Sequence, residues 1–161
     1  MMSKPLTTTL LCAALSVSAM AVEPTQIGVG VGLSDSSTTL RLPINLDSTL
    51  RIEPEFGFSF QNADNNDYTN ILAGAGLYLM QQPSEKINLY YGGKMLVDYK
   101  SYDRGTGFDD SETQLVLGAA FGFEYMFDRH FSAGGEAGAY LGFGDATNIE
   151  TQGLALLRYY F

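Results

Sequence analysis

Tryptophan is absent from the 161 residues, cysteine and histidine occur once each, and lysine and arginine total nine against 18 aspartates and glutamates. Each scarcity excludes something. The lone Cys12 lies near the N-terminus, so the rest of the chain holds no disulfide. The deficit of positive charge would repel nucleic acid, and no basic patch offsets it. One histidine, His130, leaves little material for the serine–histidine chemistry of hydrolases. Beyond the first residues no apolar run approaches the ~20 residues of a transmembrane helix. If this chain crosses a membrane, it does so with strands.

The N-terminus reads as a secretory signal. Lys4 supplies the positive charge, Leu6 to Met20 the apolar stretch, and Ala19-Met20-Ala21 the small-x-small cleavage site. Leu11 rather than a small residue precedes Cys12, which argues against a lipid-modified N-terminus. Cleavage after Ala21 leaves Val22 to Phe161 as one domain, with eight basic residues (the nine less Lys4) against 18 acids, a net charge of −10. Export through the Sec route is implied.

Period two then runs through nearly the whole chain, punctuated by turn residues. Ile27, Val29, Val31 and Leu33 alternate with glycines; Leu40, Leu42 and Ile44 alternate with Arg41, Pro43 and Asn45. Ile52, Phe56 and Phe58 alternate with Glu53, Glu55 and Gly57, and five further segments follow the same rule. Short breaks at Asp47, Pro83 and Arg129 alternate with breaks at Ser36, Asp64, Gly105 and Ala146, most of them longer. The pattern predicts an all-β fold: an eight-stranded antiparallel up-and-down transmembrane barrel, with turns and both termini in the periplasm.

Alternation alone does not say which face meets solvent, and a lipocalin-like soluble barrel is the competing arrangement. The polar face is rich in glycine and short of the lysines and glutamates of a solvated exterior. The apolar face keeps nearly free of charge over the height of a hydrocarbon band, and aromatics gather at its ends. Tyr125, Phe127, Phe131, Tyr159 and Phe161 lie at one end, Phe58, Phe60, Tyr99 and Phe143 at the other. The last segment has Phe161 preceded at alternate positions by Tyr159, Leu157 and Ala155. It resembles the C-terminal signal that the barrel-assembly machinery recognises in outer-membrane proteins. The whole chain resembles the small outer-membrane β-barrel family that includes OmpX-like proteins and the OmpA transmembrane domain. That resemblance implies a monomer among outer-membrane lipid and lipopolysaccharide of a Gram-negative bacterium. It carries no peptidoglycan-binding domain and so no cell-wall anchoring role.

The polar face places nine charged residues inward: Arg41, Arg51, Glu53, Glu55, Lys94, Asp98, Glu124, Glu136 and Arg158. Pairing about Asp47 would set Arg41 directly opposite Glu53 with Glu55 diagonal; pairing about Ala146 would set Arg158 diagonal to Glu136. Such residues either plug the lumen as ion pairs or line a narrow path for ions or water, and the family's internal charge networks suit both. Glu53 and Glu55 beside arginines read as neutralised rather than as an acid–base pair, and His130 falls in a turn, so no enzyme and no cofactor are expected. Asp64, Asp67, Asp103, Asp109 and Asp110 in the outer loops match no calcium-loop spacing. Loops of this kind suit contact with lipopolysaccharide or other cells. The barrel reading predicts extraction with the outer-membrane fraction and a band whose gel migration shifts on boiling. Recovery as a soluble periplasmic protein would favour the lipocalin-like arrangement.

Overall fold

The computed structural model describes residues 26–35, 37–63, 66–103, 109–144 and 147–161, with the side chains of 60–68 and 102–110 outside that description. The signal segment, including Cys12, Ala19 and Ala21, therefore lies outside the described residues. The alternating segments become nine strands: β1 Gln26–Leu33, β2 Thr38–Arg41, β3 Ile44–Asn45, β4 Leu50–Ala63, β5 Asn66–Ser84, β6 Ile87–Asp103, β7 Asp109–Met126, β8 Phe131–Phe143 and β9 Thr147–Tyr160. Each pairs antiparallel with its neighbours, and β9 returns to pair with β1.

β2 and β3 are two halves of one barrel strand, because both pair with β1 on one side and β4 on the other. The interruption falls at Leu42-Pro43, where proline has no N–H to give the ladder. The Pro43 carbonyl still accepts from Gly28 N–H at 2.8 Å, and Leu42 N–H donates to the Pro54 carbonyl at 2.9 Å, so the wall stays continuous. The result is the expected closed barrel of eight antiparallel strands.

Following partners once around the wall fixes its geometry. Arg158 pairs with Gly30, then Arg41, Glu55, Gly74, Leu96, Val116, Gly142 and finally Asn148, ten residues from the start on the same strand. A stagger of ten over eight strands tilts the strands by about 41° and leaves an interior only wide enough for side chains. Apolar side chains point out: Phe56, Phe58, Leu77, Met95, Phe121 and Phe123 are each about half exposed or more. The opposite face is buried and polar. This inside-out partition is the one a lipid environment requires.

Two expectations change. The longer hairpins are more regular than the polar stretches suggest, with β4 and β5 paired up to Ala63 and Asn66 and β6 and β7 up to Asp103 and Asp109. The strand pairing about the first short turn is centred one residue later than expected, so Arg41 lies directly opposite Glu55, and Glu53 is the diagonal neighbour. The turn itself explains the shift. Asp47 Oδ1 accepts from the N–H groups of Thr49 (2.6 Å) and Leu50 (2.9 Å) and from the Thr49 hydroxyl (2.7 Å), so the aspartate opens the turn rather than centring it.

Asp128 repeats the device in the β7–β8 turn, accepting from His130 N–H and Phe131 N–H, each at 2.7 Å. Both carboxyls are held below the ordinary carboxylate range, Asp47 chiefly by the Thr49 hydroxyl and Asp128 chiefly by the His130 amide. A depressed folded pKa stabilises the fold above the unfolded carboxylate range, and the contribution is lost as pH falls through the folded value. Asp47→Ala and Asp128→Ala are expected to lower resistance to urea in micelles at neutral pH. The difference from the parent protein should vanish in strong acid; a pH-independent difference would assign the effect to turn backbone preference instead.

Candidate functional site in the barrel lumen

The local cause of the site is strand parity. Each inward charge shares its parity with glycines on the same or the adjacent strand, and those glycines clear the space. A Cβ on Gly30 would lie 2.7 Å from Arg158 Cγ, and one on Gly122 would strike the Tyr90 ring. Glycine therefore lines the wall beside many of the large side chains that cross the lumen, although Arg51 is flanked by Asn45 and Tyr78 instead.

All nine predicted inward residues are buried. Eight of them form two linked rings of alternating charge. In the first, Lys94 Nζ meets Glu55 (2.9 Å) and Glu136 (2.5 Å), and Arg41 meets the same two carboxylates at 3.1 and 3.0 Å. In the second, Arg158 meets Glu53 (2.8 Å) and Glu124 (3.1 Å), while Arg51 meets Glu124 at 2.7 Å and Glu53 at 3.7 Å. The Arg41–Glu53 contact at 3.1 Å joins the rings. Four cations balance four carboxylates, so the two rings are neutral in a chain that carries a net −9. Burial would make any one of these charges costly alone, and alternation offsets that cost by giving each charge opposite partners.

The ninth residue stands apart. Asp98 accepts from the Asn70 amide at 2.6 Å and pairs with Lys100 at 3.2 Å, nearer the loop end. Arg158 also departs from the expected placement. It lies opposite Ser132, whereas Glu136 lies opposite Leu154, so the two are four residues apart along β9 rather than diagonal. The β8–β9 pairing is centred at residue 145, one position before Ala146, and that offset moves Arg158 down to Glu124 and Glu53.

Tyrosines complete the plug, and sequence reasoning left them out of the charged set. The Tyr160 hydroxyl accepts from Arg51 Nη2 at 2.8 Å and donates to Glu124 at 2.6 Å. Tyr90 and Tyr78 hydroxyls donate to Glu136 at 3.1 and 3.4 Å, and their rings meet edge to face at 5.2 Å. The Arg158 and Arg51 guanidinium carbons sit 5.3 and 5.6 Å from the Tyr90 ring centroid, a distance at which the ring's quadrupole stabilises both cations. Ser132 donates to Glu124 at 3.0 Å, and Asn45 accepts from Arg51 Nε at 2.8 Å. The signal that could have found these residues was parity, which Tyr90, Ser132 and Tyr160 share with the charges on their own strands and Tyr78 with its partner Arg51 on β4.

A model of the outer membrane protein beta-barrel domain matches residues 7–157. The chain belongs to the outer-membrane β-barrel family. Solved structures share this fold at low identity. Neisserial surface protein A matches with a TM-score of 0.64 and 18% identity, covering 85% of this chain and 94% of that one. The N-terminal barrel of Pseudomonas aeruginosa OprF matches at 0.62 and 11%, covering 85% and 96%. Yersinia pestis Ail, solved with the heparin analogue sucrose octasulfate, matches at 0.55 and 12%, covering 85% and 95%. No curated protein matches the sequence.

The remaining predicted features are placed as follows. Ala155, Leu157, Tyr159 and Phe161 all point outward at the β9 end, where Tyr159 and Phe161 meet edge to face at 5.5 Å. His130 stacks on Tyr159 at 5.7 Å and its Nδ1 lies 2.9 Å from the Tyr160 carbonyl, so the ring sits on the girdle. Phe58, Tyr99 and Phe143 face outward at the loop end. Asp64 and the side chains of Phe60, Asp67, Asp103, Asp109 and Asp110 lie outside the described residues. No group of three or more metal-ligating side chains occurs among those described.

Arg41 touches three carboxylates, so Arg41→Ala is expected to cost about 3–5 kcal/mol, the range for breaking a buried ion pair. Arg41→Ala/Glu55→Gln restores three cations against three carboxylates and is expected to recover part of the loss in a folding titration into lipid. Arg41→Ala/Glu53→Ala should recover less, because Glu53 also holds Arg158 and Arg51. Additive losses in both double variants would overturn the network.

Proposed function

We propose that this protein is a structural, non-catalytic barrel of the Gram-negative outer membrane, closed to ions by its own side chains. The observation that carries the reading is the pair of alternating-charge rings, in which every buried cation faces a carboxylate and tyrosines fill the space between. A path for ions would have to break contacts that leave charges unpaired in a narrow lumen. The longer hairpins then face outward, both termini face the periplasm, and the outer surface contacts lipid, lipopolysaccharide or neighbouring cells as a monomer.

Delivery follows from the chain's two ends. Sec export uses the N-terminal segment, with cleavage after Ala21, and the assembly machinery reads Ala155, Leu157, Tyr159 and Phe161. The polyanion bound to Ail does not transfer readily, because this chain carries twice as many acids as bases and repels anionic sugars.

Planar-bilayer recording separates the plugged barrel from the ion or water pore. The parent protein is expected to be silent, and Lys94→Ala/Glu136→Ala to show brief openings once the ring nearer the loop end is broken. Frequent, discrete open steps from the parent protein would assign it to the pore class.

A further inference from the structure

Toward the loop end the barrel wall is uneven. β1 and β9 pair only between Gly28–Leu33 and Ala155–Tyr160, and the β1–β2 hairpin closes at once, with Ser34 N–H donating to the Ser37 carbonyl at 3.0 Å. β9 continues eight residues further, Thr147–Leu154, paired among the described residues with β8 alone. Across the hairpin, β4 continues through Ser59–Ala63 beyond Phe58, its last residue paired with β2. The free edges of β9 and β4 are three strand spacings apart, or ~14 Å. At this tilt each residue climbs ~2.5 Å along the barrel axis and each strand step ~3 Å, which sets the hairpin tip roughly 8 Å below Tyr99 and Phe143. The tip, Ser34 and Asp35, is thus polar backbone and side chain beneath the outer aromatic girdle.

Two features border this notch. Ile149, on the free edge, is 76% exposed, more than any other large apolar side chain of a strand among the described residues, and no neighbour covers it from the β1 side. On the membrane surface of β7, β8 and β9 a shallow, open groove of about 590 Å³, floored by small residues, descends from Thr151 past Ala139, Gly153, Ala137 and Ala119 to Phe121. The groove is continuous with the lipid-facing surface and starts where the free edge is exposed. On the lumen side, Gln152 Nε2 donates to Ser34 Oγ at 3.0 Å and closes the notch toward the interior.

A free sheet edge in the outer hydrocarbon region leaves backbone groups without partners, each costly there. Resting on the outer-membrane reading above, we propose that the notch seats one membrane lipid bearing amide and hydroxyl groups. Its N-acyl region pairs with the backbone of Thr147–Leu154, and one acyl chain lies in the groove. Phosphate recognition does not suit the site, since residues 130–157 contain no lysine or arginine and Glu150 and Asp35 flank the notch. A second barrel does not fit between edges ~14 Å apart, a width that admits two strands.

The test is backbone hydrogen exchange of the full mature protein in phosphatidylcholine bilayers, with and without ceramide, which supplies an amide and hydroxyls but no phosphate. Ceramide is expected to slow exchange of one or two neighbouring edge-facing amides within Thr147–Leu154 roughly tenfold, the effect of about one hydrogen bond each. Ala139→Phe, which fills the groove from the lipid side, is expected to abolish the slowing while the gel shift on boiling is retained. Equal exchange in the two bilayers overturns the proposal, and so does protection that rises with protein density, which would mark pairing between copies. Failure of the protein to insert into either bilayer would instead overturn the outer-membrane reading.

Discussion

Everything in this barrel depends on placing charge where water cannot reach it. A strand wall turned apolar side out leaves its polar face to an interior too narrow for solvent, so charges there must satisfy one another. Four cations and four carboxylates do so in two rings linked by Arg41 and Glu53. The rings draw on six of the nine strands: β2 gives Arg41, β4 gives Arg51, Glu53 and Glu55, β6 gives Lys94, and β7 to β9 give Glu124, Glu136 and Arg158. Side chains from both ends of the chain thus meet in the middle of the molecule. Closure of β9 on β1 is what brings Arg158 to Glu53, 105 residues earlier.

Space is the second constraint, and glycine and tyrosine share it. A stagger of ten over eight strands gives a lumen that large side chains must cross, and several crossings use a wall position with no side chain. Gly122 stands opposite Tyr90, and Gly118 stands opposite Tyr140. The tyrosines bring hydroxyls to Glu124 and Glu136 and ring faces to Arg51 and Arg158. One residue type therefore fills volume, donates hydrogen bonds and stabilises cations. The glycine richness of the polar face is shape complementarity in the fold.

The outer surface follows simpler rules. Apolar side chains of one parity meet lipid, and aromatics collect at the ends, where Phe127 stacks on Phe131 at 5.5 Å and Tyr159 meets both His130 and Phe161. Departures from uniformity come from hairpin length. The β1–β2 hairpin stops low while its neighbours climb, so the wall has one low side, and the free edge of β9 results.

Strand number, sidedness, the outward C-terminal residues and the identity of the nine buried charges were legible in the sequence, because period two and the spacing of turns are local properties. The partners of those charges were not. They depend on register, and register was set by details one residue in size. Asp47 opens its turn by accepting from Thr49 and Leu50, which moved Arg41 from Glu53 to Glu55 as its facing residue. The β8–β9 pairing is offset in the same way, which took Arg158 away from Glu136. Contacts between strands distant in the chain, such as Arg51 with Glu124 or Arg41 with Glu136, required the closed barrel, since only curvature brings opposite walls within reach. The sequence by itself determined that the polar face would be buried and charged. The tertiary structure alone decided which charges meet, because that choice rests on stagger and closure, to which no single segment holds the key.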